Sequence, residues 1–121
     1  MTDTHESRMW WDHLRRSGFI AGSGYAQPNN AFAGILGVQT GDGSGATPAA
    51  AAIGFTGLFT CSSNLPDKVA IALDVQMDDG NPLAGAVRGA SGSGAVNVAT
   101  TSAASAYLEN GTNIYTLCRG F

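Results

Sequence analysis

Apolar and polar positions alternate at helical spacing over Glu6 to Gly18, ESRMWWDHLRRSG. There Met9, His13 and Arg16 share one face, with Trp10, Leu14 and Ile20 close by. Gly18 is placed to end this helix, and at least one ring of Trp10-Trp11 is expected to lie against the domain. Met9, Trp10 and Leu14 are the residues expected to pack the helix on a sheet. A helix this short is marginal alone, so it reads as the C-terminal end of something longer.

The spacing then changes. Phe32 to Thr40, FAGILGVQT, suits a first strand after a loop at Ser23 to Asn30, and Gly41 to Thr47 reads as turn or flexible loop. Ile53, Phe55, Gly57, Phe59 and Cys61 fall on one face of a two-residue period, predicting a strand over Ile53 to Cys61. Leu65, Val69, Leu73 and Met77 repeat every four residues and predict a second helix over Leu65 to Met77. Pro66 falls in its first turn, and Asp67 favours the positive helix end. Gly80 terminates it and Pro82 prevents its resumption. Ala86 to Ala90, Val96 to Thr101 and Ile114 to Phe121 are the remaining expected strands. The order predicts a single α+β domain.

Composition narrows the classes of function. Charged residues make up only 12% of the 121, about half the usual share, while 44% are hydrophobic. The surface must therefore be built mostly of small and uncharged polar residues. A formal charge of -3 and a pI near 5.0 disfavour a nucleic-acid partner, and the six basic residues form no run longer than two. The most apolar stretch, Ala49 to Phe59, is interrupted by glycines and falls far short of the roughly 20 residues of a membrane span. Cys61 and Cys118 are the only cysteines and form no CxxC motif. A disulfide is the favoured reading, with free core thiols as the alternative. Closing so long a loop would stabilise the fold by roughly 4 kcal/mol before any native strain. It would also imply an oxidising compartment, periplasmic or extracellular.

Candidate chemistry centres on LDVQMDDGNPLAG. Asp74, Asp78 and Asp79 cluster there, yet the stretch lacks the alternating acidic spacing of an EF-hand loop. Asp78, Asp79, Gly80, Asn81 and Pro82 read better as a structural turn whose carboxylates bind backbone N–H groups. His5 and His13 are eight apart and form no HExxH. His13 reads as a packed or hydrogen-bonded helix residue, and neither GxSxG nor a phosphate-cradling glycine loop occurs. Asn110-Gly111-Thr112 fits a glycosylation sequon and equally a turn. No catalytic set emerges, and no metal or cofactor is expected.

Three separated segments resemble a known family. ESRMWWDHLRRSGFIAGS resembles the end of the long N-terminal helix of bacterial type IV pilins and pseudopilins, and QPNNAFAGILGVQTG resembles the segment that follows it. LPDKVAIALDVQMDDGNPLAGAVRG is similar to their short helix and its acidic turn, and the two cysteines fit the disulfide many of them place around the last region. The resemblance implies a pilin-like fold: an N-terminal helix packed on an antiparallel sheet, a short second helix and a disulfide-closed C-terminal region. The leader and apolar helix half of that pattern are not among these residues, so a soluble head domain truncated ahead of Met1 is expected. The implied function is non-catalytic, as a subunit of a type IV pilus or a type II secretion pseudopilus. The implied partners are other pilin or pseudopilin subunits, with membrane contact only through the N-terminal segment. The alternative is a minor pilin acting as a tip adhesin, for which the loops at Gly41 to Thr47 and Gly89 to Ala95 could serve. A small secreted hydrolase is disfavoured for want of a catalytic set.

Overall fold

The computed structural model describes residues 6–40, 53–92 and 104–121. Helix α1 (Glu6–Arg16) precedes strands β1 (Leu36–Thr40) and β2 (Leu58–Pro66); helix α2 (Asp67–Met77) follows, then β3 (Val87–Ser91) and β4 (Ile114–Gly120). The four strands lie in the order β1-β2-β4-β3, every neighbouring pair antiparallel, so the protein is α+β. Cys61 faces Cys118 across β2 and β4, and a disulfide joins them.

Several boundaries differ from the sequence pattern for local reasons. β1 begins at Leu36 rather than Phe32, because Asn30 organises the residues before it into a loop. Its Oδ1 accepts from the N–H groups of Phe32 and Gly34, each at 2.9 Å. β2 begins at Leu58 rather than Ile53, since Gly54 turns the chain at φ +90°. It also runs on through Leu65 and Pro66, which the sequence had assigned to the helix. Pro66 becomes the N-cap, and Asp67 is the first helical residue. The strand expected at Ala86 to Ala90 forms as β3, Val87–Ser91, so the first three residues of the loop suggested at Gly89 to Ala95 belong to it. The expected strand at Val96 to Thr101 and the loop at Gly41 to Thr47 lie outside the described residues, as does His5.

A bulge in β2 decides which residues meet which side of the sheet. Ser62 pairs with Leu117, but the next partners are Leu65 and Tyr115, so β2 carries one extra residue there. Asn64 sits in the bulge at φ +59°, a conformation asparagine tolerates better than most residues. The extra residue reverses the side-chain phase. Phe59 and Cys61 point to one face, while Leu65 points to the other. The loop before β1 clamps this bulge: Asn30 Nδ2 donates to Ser63 O at 2.6 Å, and Asn64 Nδ2 donates to Phe32 O at 2.6 Å.

Both faces of the sheet are consequently buried. On one, Ile53, Phe59, Ala90 and the disulfide pack together under Phe55 and Ala104. The Arg88 guanidinium lies 4.6 Å from the centre of the Phe55 ring. On the other, α2 brings Ala70, Val69 and Leu73 onto Leu65, Val87, Tyr115 and Leu117, with Tyr107 closing the edge. Cover on both sides explains why Tyr115, Thr116, Leu117 and Cys118 are buried in succession rather than alternately.

The α1 packing residues need correction. Met9 is 44% exposed, and Trp10 and Leu14 are half-buried; the deepest ring is that of Trp11, at 6%. Met9, His13 and Arg16 form the solvent face, so His13 is an exposed residue. Helical periodicity placed these faces one residue out of step, because tandem tryptophans satisfy either phase.

Candidate functional site

The helix pattern Leu65, Val69, Leu73, Met77 suggested an apolar face for α2, yet two of its buried residues are acids. Asp67 and Asp74 are 1% and 0% exposed, whereas Met77 is 42% exposed. A carboxylate is buried at this depth only where donors converge on it. The donors come from both ends of the helix.

At the C-terminal end Asp74 Oδ1 accepts from the Gly80 N–H at 3.2 Å, and Oδ2 accepts from the Tyr107 hydroxyl at 2.6 Å. Burial first, and then the hydrogen bond to Asp74, hold the Tyr107 phenol well above the ordinary tyrosine range. Asp78 is the helix C-cap, its N–H donating to Asp74 O. Its Oδ2 accepts from Ala86 N–H at 2.6 Å and Val87 N–H at 3.0 Å, stitching the turn to the first residue of β3. Asp79 Oδ1 accepts from Asn81 N–H at 2.9 Å, and Asn81 Oδ1 from Leu83 N–H at 3.1 Å, two successive side-chain turns. Gly80 adopts φ +77°, and Pro82 is buried with its carbonyl accepting from Gly89 N–H at 3.1 Å. Gly85 is a further member that sequence reasoning missed. A Cβ there would sit 2.0 Å from Asp78 Oδ2, so the carboxylate occupies the space a side chain would need.

Oxygens of Asp74, Asp78 and Asp79 lie within 4.8 Å of one another. Such a group can hold a cation only with several more oxygens, six to eight in all for calcium. The four carboxylate oxygens just described are already committed to N–H and O–H donors. What the arrangement does is join three elements, the end of α2, the start of β3 and the Tyr107 segment.

At the N-terminal end Asp67 Oδ2 accepts from Asn110 N–H at 2.8 Å and Gly111 N–H at 2.6 Å, while Oδ1 accepts from Lys68 N–H at 2.7 Å. Burial works to raise this carboxyl's pKa, but the three backbone donors outweigh it and hold the pKa below the usual carboxylate range. This docks the loop before β4 onto the helix. Its members were hidden from sequence reasoning, since the two residues joined are more than forty positions apart; Asn110-Gly111 as a turn was the available signal.

Elsewhere, an apolar groove of about 420 Å³ runs between α1 and α2 over the sheet, lined by Trp11, Leu73, Met77, Leu117 and Phe121. At the α1 end, Arg15 Nη1 donates to Gly24 O at 2.7 Å and so fixes the turn that follows the helix. Among the described residues, no helix is long and apolar enough to cross a membrane. No family model matches the chain, and no curated protein or solved structure matches it.

Proposed function

We propose that this protein is a structural subunit of an extracellular filament, the globular head of a type IV pilin or pseudopilin, and is not an enzyme. The observation that carries this reading is where the three resembling segments fall. Each is a joint of one scaffold. The first holds α1 through Trp11 and Arg15. The second clamps the β2 bulge through Asn30. The third ties α2 to β3 through Asp78.

Asp67, Asp78 and Asp79 accept from backbone N–H groups, and Asp74 from one backbone N–H and the Tyr107 hydroxyl, as a scaffold requires. The disulfide across β2 and β4 suits an oxidising compartment, periplasmic or extracellular, and a subunit under mechanical load. The partners on this reading are other subunits of the same filament.

The test uses antiserum raised against residues 1–121 on the bacterium that encodes the chain. Labelling along sheared surface filaments, or along a pseudopilus assembled by a secretion system, is the expected result; labelling confined to tips would favour the adhesive alternative. A chain found only as non-sedimenting monomer, whose deletion leaves filaments and secretion intact, would remove the reading.

A further inference from the structure

Asn110-Gly111 is the only Asn-Gly step in the sequence, and both residues are exposed. In a free chain this dipeptide reacts with itself. The backbone nitrogen of the glycine, once deprotonated, attacks Cγ of the asparagine, with no Cβ on the glycine to obstruct it. The new N–Cγ bond forms, the Cγ–Nδ2 bond breaks, and ammonia leaves with a proton. Water then opens the cyclic imide at either carbonyl, leaving aspartate or isoaspartate.

The fold treats the two reacting partners differently. Asn110 Oδ1 accepts from Thr112 N–H at 2.9 Å, Thr112 Oγ1–H at 2.8 Å and Asn113 N–H at 3.1 Å. Three donors on the amide oxygen draw electrons from Cγ and make it the better electrophile. The nucleophile is held back. Gly111 N–H points at Asp67 Oδ2 at 2.6 Å, and the same oxygen holds Asn110 N–H. To attack, Gly111 N must leave a buried carboxylate, and its anion would form beside a negative charge.

We propose that Asn110 is a latent deamidation site, kept unreacted by the Asp67 carboxylate that binds the attacking amide of Gly111. Asp67 acts here as a positioning residue. Its control does not depend on the filament reading, because it concerns the stability of the covalent chain.

The experiment incubates the folded protein at neutral to mildly alkaline pH and follows Asn110 by peptide mass and isoaspartate-specific methylation. A synthetic peptide spanning residues 104–117 gives the unrestrained rate. Wild type is expected to react at least about tenfold more slowly than the peptide, the scale of one strong hydrogen bond to a charged acceptor. Asp67→Ala should approach the peptide rate, with Asp67→Asn between the two. Asp78→Asn, at the opposite end of α2, should leave the rate unchanged in folded protein. Wild type reacting as fast as the peptide overturns the proposal, and so does an unchanged or slower rate in Asp67→Asn. Equal acceleration by Asp78→Asn would assign the rate to general opening and overturn it too. If Asp67→Ala does not fold, wild type against peptide and Asp67→Asn still decide the matter.

Discussion

The two ends of α2 solve one problem in two ways. Each buries a carboxylate almost completely, Asp67 at the start and Asp74 near the end. Asp67 is surrounded by three backbone N–H groups, which stay protonated through the range where side chains titrate and strongly favour the charged form. Asp74 takes one backbone N–H and a phenol, so a titratable side chain supplies half of its satisfaction. The first end is a fixed clasp between helix and loop. The second can be altered at a side chain without touching the main chain. The comparison predicts unequal sensitivity to mutation and opposite sensitivity to pH.

The largest effect should come from Asp67→Ala. It leaves the N–H groups of Lys68, Asn110 and Gly111 without their acceptor and frees the loop from the helix. Its thermal midpoint should fall further than that of any other substitution considered at either end. The pH dependence has a definite sign. Because the folded carboxyl is held below its unfolded range, the unfolded chain binds more protons near pH 4 and below. The contribution of Asp67 is therefore complete above about pH 4 and lost as pH falls through the lower folded value. Midpoints measured across the acid range should show a limb that Asp67→Asn flattens. A limb of equal size in that variant would mean that other carboxylates carry the acid sensitivity.

Reading the sequence located some of this and missed the rest for physical reasons. The Cys61–Cys118 bond follows from there being only two cysteines and the positive φ of Gly80 from a short-range rule for ending helices, and both are present. The burial of Asp67 and Asp74 was not readable. Hydrophobic periodicity counts side chains and says nothing about donors arriving from Tyr107 or Gly111. The β2 bulge is a second case. A strict period of two carried Ile53 to Cys61 forward as one strand face, whereas Asn64 at positive φ shifts the phase and sends Leu65 to the α2 side. Asn30 looked like loop filler, yet its amide bridges four backbone and side-chain groups on two segments.

Tyr107→Phe should have the next largest effect. The ring keeps its edge-on contact with Tyr115, 5.2 Å between centroids, so packing is preserved while the hydroxyl is lost. Asp74 Oδ2 is then buried without its donor, a loss of about 1–3 kcal/mol in denaturant unfolding. The alkaline side supplies the contrast with Asp67. Tyr107 is held above its unfolded value, so the folded state keeps its proton longer, and stability should fall as pH rises beyond about 10. Tyr107→Phe should remove that part of the alkaline limb and leave the acid limb intact. If the variant instead changes the acid limb alone, the two ends are not independent in the way their hydrogen bonds suggest.

The smallest effect tests what the acidic turn is for. Asp79 is exposed, and its one observed role is to accept from Asn81 N–H at 2.9 Å. Asp79→Ala should cost on the order of 1 kcal/mol, as for a lost cap or turn bond, and the cost should be the same in excess calcium and in excess chelator. The proximity of Asp74, Asp78 and Asp79 offers the opposing reading, in which a cation would bind only the native state and raise its melting temperature by mass action. The two readings separate cleanly in wild type. Matching melting curves with calcium and with chelator leave Asp79 as a turn residue. A calcium-dependent rise that Asp79→Ala abolishes would make the end of α2 a metal site. In that case Asp78, whose Oδ2 already serves Ala86 and Val87, would have to ligate through its other oxygen, and Asp78→Asn should weaken the calcium response while keeping one acceptor for β3. Loss of both the calcium response and the fold in Asp78→Asn would instead show that the stitch to β3 is the primary role of that carboxylate.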